Sequence, residues 1–222
     1  MFTIRKIQIY GLLIIVVLLG SCDDFLSVEN ENAPDRERAL SRSEDVENLI
    51  GSSFFGWWKA TQNQQTGVHL SIAADETGDR WNQYSYGILG CPRQEFNNDP
   101  AFQGKTIIEK PWFDLYKSLT SVNEGISALK SGVEIGEDGA RNQRALAFAR
   151  FVQGLSQGWL ALMFDKAFIV DEEVERSRLN QLEPQNYQKV MDAAINHLSK
   201  AAELADNGSF TLPDHWINGN PM

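Results

Sequence analysis

The sequence predicts an all-α protein of four to five helices packed as antiparallel neighbours. Two observations predict it. Four stretches behind the N-terminal region repeat apolar residues at helical spacing. The segments between them are rich in Gly, Pro, Asn and Asp, and none sustains the apolar–polar alternation of a strand.

Taken in order, residues 1–21 form a secretory signal. "MFTIRK" carries Arg5 and Lys6 and no acid, residues 7–19 are almost wholly apolar, and the small residues Gly20 and Ser21 follow. The run falls short of the roughly 20 residues of a membrane span, and Asp23 and Asp24 follow it instead of a basic flank. Residues 22–41 are polar and read as a tether and lead-in to a helical domain over 42–222. "SRSE" (Ser41 to Glu44) fits a capping box. Val46, Leu49, Ile50, Phe54 and Trp57 then predict a helix over about 42–62.

Residues 75–108 hold Gly78, Gly87, Gly90, Pro92, Pro100 and Gly104 and keep no period, so a long loop region is expected; long loops in compact domains tend to be functional. Trp112, Leu115, Tyr116, Leu119, Val122, Ile126 and Leu129 predict a helix over 111–130. "SGVEIGEDG" (131–139) reads as a turn. Residues 140–164 are the strongest helix, with a stripe of Phe148, Phe151, Val152, Leu155, Trp159, Leu162 and Met163. Gly154 and Gly158, one turn apart, would admit another backbone closely. Arg150, Gln153 and Gln157 interrupt the apolar surface, which argues for a soluble crossing rather than a membrane dimer.

Residues 165–183 are a connection, a short strand plus loop, with four acids in 171–175. A last helix spans 184–206, Pro184 suiting its first turn, with a face of Tyr187, Val190, Met191, Ala194, Leu198, Ala201 and Ala205. The closing "LPDHWINGNPM" leaves Trp216 and Ile217 in a Pro/Gly/Asn-rich stretch, as if awaiting a further element. Ala, Tyr, Leu and Phe at close-packing positions make the helix pairs similar to tetratricopeptide units. No two copies align at a fixed period, and no polar capping helix closes the array. The expected fold is therefore a tetratricopeptide-like helical array, incomplete at the C-terminus.

Composition excludes some functions. The chain has 20 Lys+Arg and 30 Asp+Glu; removing the signal takes two bases and no acid, leaving 18 bases, 30 acids and a balance of −12. Phosphate backbones would repel such a chain, so nucleic acid is not an expected partner. Besides Cys22 there is only Cys91, so no internal disulfide staples the fold. No Cys–His pattern surrounds Cys91, which reads as a structural cysteine.

"LGSC" at 19–22 resembles the lipobox of bacterial lipoproteins, which implies a diacylglycerol on the Cys22 thiol and cleavage before it; more than one acyl chain gives stable anchoring. The acidic pair after it resembles a surface-export signal of some Gram-negative lipoproteins. "CDDFL", then "RNQRALAFARFVQGLSQGWLALMFDKAFIVDE", then "NYQKVMDAAINHLSKAAELA" resemble, in that order, the first part of the SusD/RagB family of outer-membrane nutrient-binding lipoproteins. The resemblance implies a cell-surface lipoprotein that is lipid-anchored in the outer membrane through Cys22. It also implies capture of glycans and their delivery to a SusC-like TonB-dependent transporter, without catalysis. No cofactor is expected, and no residues are singled out as metal ligands.

Sugars offer flat CH faces and rings of hydroxyls, which aromatic and amide or charged side chains satisfy. "DETGDRWNQYSY" (75–86) supplies both, and in starch-binding members of the family a comparable early loop holds the glucan. On that resemblance Arg80, Trp81, Asn82 and Tyr84 are the expected ligand-binding residues; the plainer reading is that Trp81 and Tyr84 anchor the loop to the core. Trp57 and Trp58, adjacent on a helix, cannot share a face, and Trp57 is expected in the core. An enzyme is not expected: a glycosidase needs two carboxylates across one bond, the acid runs read as solvated faces, and HExxH, GxSxG and P-loop patterns are missing. The competing reading is a structural helical-repeat lipoprotein that contacts other proteins and binds no glycan.

Overall fold

The computed structural model describes residues 36–62, 64–78, 87–90, 97 and 99–218. The unit described here begins at Glu37. Its α-helices are α1 (Arg36–Ser41), α2 (Ser43–Gln62), α3 (Gln64–Ala73), α4 (Thr106–Lys130), α5 (Asn142–Met163), α6 (Tyr187–Asp206) and α7 (Asp214–Asn218). Strands β1 (Lys166–Ala167) and β2 (Gln185–Asn186) pair antiparallel, Lys166 opposite Asn186. The protein is mostly helical, as its periodicity predicts.

α2 forms where Val46, Ile50, Ser53, Trp57 and Ala60 recur on one face, and all of them are buried. Glu44 and Asp45 lie in its first turn, where the helix dipole favours acids. The expected capping box does not form. Ser41 ends α1, and its hydroxyl donates back to the Arg38 carbonyl at 2.8 Å.

α4 starts at Thr106, one turn and more before the expected Pro111. Pro111 is thus the sixth residue of the helix, past its first turn, and leaves the Ile107 carbonyl without its usual N–H partner four residues on. The early start carries Ile107 into a buried contact with Ile72 of α3. α2 and α4 run antiparallel. Gly125 sits against the Ile50 side chain, while seven residues earlier Ser118 donates to the Ser53 carbonyl at 3.3 Å.

α5 is the centre of the bundle and packs against α2, α4 and α6. Its burial therefore exceeds one stripe. Ala145, Phe148, Val152 and Leu160 are buried, as are Arg150, Gln153 and Gln157. Phe151 and Leu162, expected in the stripe, are exposed, Leu162 at 71%. The α5–α6 pairing is the most extensive in the fold. It depends on Gly154, where a Cβ would lie 2.5 Å from Leu198 and 3.0 Å from the Ala194 carbonyl.

The turn between α4 and α5 uses Gly132, Gly136 and Gly139 at φ of 98°, 82° and 71°, a region that suits glycine. α6 begins at Tyr187 and not at Pro184. Asn186 caps it, its side chain accepting from the Lys189 N–H at 3.0 Å. Tyr187, expected on the packed face, is about half exposed.

Trp216 is buried in this chain and needs no further element to cover it. Its indole lies over Gly51 of α2, 4.8 Å from the Phe148 ring and 5.2 Å from the Arg144 guanidinium carbon.

Candidate functional site

Cys22, Arg80, Trp81, Asn82 and Tyr84 lie outside the described residues, as does Cys91. The two flanks of the 79–86 segment are described, and they converge. Asp75–Gly78 on one side and Gly87 and Gly90 on the other line, with Ile72, a cleft of about 590 Å³.

Local chemistry builds the first flank. α3 ends at Ala73, and the Asp75 and Glu76 N–H groups donate to the carbonyls of Ile72 and Ser71 at 3.0 and 2.9 Å. This hook puts Asp75 at φ 60°, left-handed and tolerated by aspartate better than by most residues. The Ser71 hydroxyl donates to Glu76 Oε2 at 3.3 Å. On the other flank the Gly90 N–H reaches the Gly87 carbonyl at 3.3 Å. Ile72, Ile107, Leu89 and Ile108 form a small apolar cluster beneath. The cleft thus presents carboxylates, a hydroxyl and backbone groups over an apolar floor, a combination that suits hydroxyl-rich ligands. Trp57 is buried as expected, whereas Trp58 is half exposed beside it, the ring centroids 6.3 Å apart.

A second polar cluster escaped the sequence reading altogether. Residues 164–171 run as a strap along α4 and α5 that ends in a turn at 172–173, and side chains bind its backbone at Phe168 and Val170. The Tyr116 hydroxyl donates to the Phe168 carbonyl at 3.0 Å and accepts the Phe168 N–H at 2.6 Å. Asn123 and Gln157 both donate to the Val170 carbonyl, at 3.2 and 3.3 Å. At the far end Glu172, with a side chain 3% exposed, receives Arg150 bidentately at 2.9 and 2.6 Å. Lys130 adds a contact at 2.7 Å and Gln153 one at 3.2 Å. Gln153 also donates to Asn123 at 2.6 Å and accepts from Arg150 at 2.8 Å.

The electrostatics follow from this geometry. Burial alone would raise the Glu172 pKa, but hydrogen bonds from Arg150 and Lys130 outweigh it and hold the carboxyl well below the usual carboxylate range. Lys130 is pushed up by Glu172 and then by Glu173. Burial raises the Tyr116 phenol above its ordinary value. Burial lowers His69 to about 4.

The acid run at 171–175 is therefore not a solvated face throughout, because Glu172 is the buried hub of this network. Arg150, Gln153 and Gln157 signalled it: three polar residues on an otherwise apolar helix face, with an acid run to meet them. Among the described residues no three His, Cys, Asp or Glu side chains are grouped to hold a metal ion, and no helix is long and apolar enough to cross a membrane.

Comparison of the chain with protein-family models, with curated proteins and with solved structures gave no match.

Proposed function

We propose that this protein is a lipid-anchored outer-membrane lipoprotein, surface-exposed, that binds glycan nutrients and passes them to a SusC-like TonB-dependent transporter, as the SusD/RagB resemblance implies. The observation that carries the reading is the convergence of the flanks of 79–86 on one cleft. That cleft supplies Asp75, Glu76 and Thr77 next to the segment bearing Arg80, Trp81, Asn82 and Tyr84. The scaffold in this reading is a tetratricopeptide-like array, with α2–α4 and α5–α6 as its antiparallel pairs. Stacking residues at binding sites often carry more than about 1 kcal/mol. In calorimetry of the full-length protein against a panel of oligosaccharides, Trp81→Ala is expected to lose at least fivefold in affinity while circular dichroism stays unchanged. Wild-type protein that binds no member of the panel would remove the glycan reading.

Exposed apolar side chains favour a second reading, a helical-repeat lipoprotein that contacts other proteins. Trp58 and Phe113 are 49% and 65% exposed. On that reading Trp81→Ala changes nothing, and Trp58→Ala weakens co-purification of the neighbouring transporter.

A further inference from the structure

The cleft at the flanks of 79–86 has a charge as well as a shape. Asp75 and Glu76 line it, and both are exposed. The Ser71 hydroxyl donates to one Glu76 oxygen and steadies that carboxylate. Thr77, Gly78, Gly87, Gly90 and Ile72 complete the described lining, and none of them brings a positive charge.

The described bases beside the apolar floor are already engaged. Lys105 and Lys110 flank Ile107 and Ile108, and each is paired with an acid four residues on, Lys105 with Glu109 at 3.6 Å and Lys110 with Asp114. Burial keeps His69, one turn before Ile72 on α3, uncharged at neutral pH. The loop as a whole is acidic too. Residues 75–99 hold five acids and only two bases, Arg80 and Arg93, a balance of −3.

We infer that this cleft selects uncharged glycans and rejects those bearing uronate or sulfate groups. The inference rests on the glycan reading above and names the substrate class within it. A carboxylate accepts hydrogen bonds from sugar hydroxyls but has no donor to offer a second carboxylate. An acidic sugar brought against Asp75 and Glu76 therefore meets like charge, and like charges juxtaposed across an interface cost affinity. The chain's overall excess of acid acts in the same direction and slows the approach of a polyanion.

The test is calorimetry of the full-length protein with neutral glucose and galactose oligosaccharides, the uronates made from them by oxidation at C6, and the methyl esters of those uronates. At low salt each uronate is expected to bind at least about tenfold more weakly than its neutral parent. The ester, uncharged and no smaller, is expected to regain the affinity. Near 1 M salt, where the screening length falls to about 3 Å, the gap is expected to narrow. Asp75→Asn combined with Glu76→Gln is expected to bring the two affinities close together; asparagine tolerates the left-handed backbone at position 75. A uronate bound as tightly as its parent, or more tightly, overturns the inference and leaves the glycan reading standing. So does a gap that persists in the ester, at high salt or in the double variant, since size and not charge would then set it. Protein that binds none of these sugars fails the glycan reading itself, and this inference with it. Should the double variant not fold, the ester and salt arms decide.

Discussion

A carboxylate as buried as Glu172 stays ionised only because Arg150 and Lys130 meet it. Removing one partner of such a cluster leaves uncompensated buried charge. Glu172→Gln is therefore expected to cost about 3 kcal/mol or more in urea denaturation. Because the folded-state pKa is depressed, this contribution is present above the ordinary value of 4.5 and fades as pH falls below it. The difference between wild type and Glu172→Gln should accordingly shrink on acidification through that point. Glycines show the opposite dependence on local space. An alanine Cβ at Gly154 meets Leu198 and a carbonyl, so Gly154→Ala should lose about 1–3 kcal/mol. Gly67 of α3 has nothing within 4 Å of the same position. There the helix gains by losing a glycine, and Gly67→Ala should add about 0.5–1 kcal/mol. Thermal melts of the two variants that moved in the same direction would contradict this account.

At the scale of elements, α2, α4, α5 and α6 were legible because each repeats apolar residues at 3.6 spacing. α3 was not. Its buried side chains include Thr66 and His69 alongside Ile72, so no apolar stripe announces it. The strap was legible only as a short strand, Lys166–Ala167, which pairs with β2. Beyond it, Phe168 and Val170 find their backbone partners in side chains of helices, which no local pattern announces. Tyr116 lies 52 residues from Phe168 and satisfies both its backbone groups. Tyr116→Phe keeps the ring contacts with Trp112 and Phe168 but strands an N–H and a C=O. The expected loss is about 1–3 kcal/mol, with exchange protection of the Phe168 amide falling first. Protection unchanged at Phe168 would mean that the strap is held elsewhere. At the candidate site, the residue types of 75–86 were readable, but convergence of their flanks with Gly87 and Gly90 depends on the α3–α4 contact through Ile72 and Ile107. No local spacing encodes that contact.

At the scale of the whole molecule, the bundle is tied by contacts between its ends. Glu47 on α2 binds Arg141 at 3.0 Å and Arg144 at 2.5 Å, and Arg144 in turn lies against Trp216. The indole fills the space over Gly51 and against Phe148, so one side chain near the C-terminal end touches α2 and α5 together. A lone tryptophan in a Pro/Gly/Asn-rich stretch carries no periodic signal, and its partners lie about 70 and 165 residues away in sequence. Its role is therefore visible only in the fold. Truncating a buried tryptophan costs about 3–5 kcal/mol. Trp216→Ala should lower stability by that order while leaving the helices intact at low temperature. Ile217, half exposed beside it, should change stability by no more than about 0.5 kcal/mol when replaced by alanine. Gly51→Ala should resemble Trp216→Ala, because a Cβ there displaces the indole. Urea midpoints followed by circular dichroism at the helix band decide it. If Trp216→Ala and Ile217→Ala lose equal stability, Trp216 does not close the bundle.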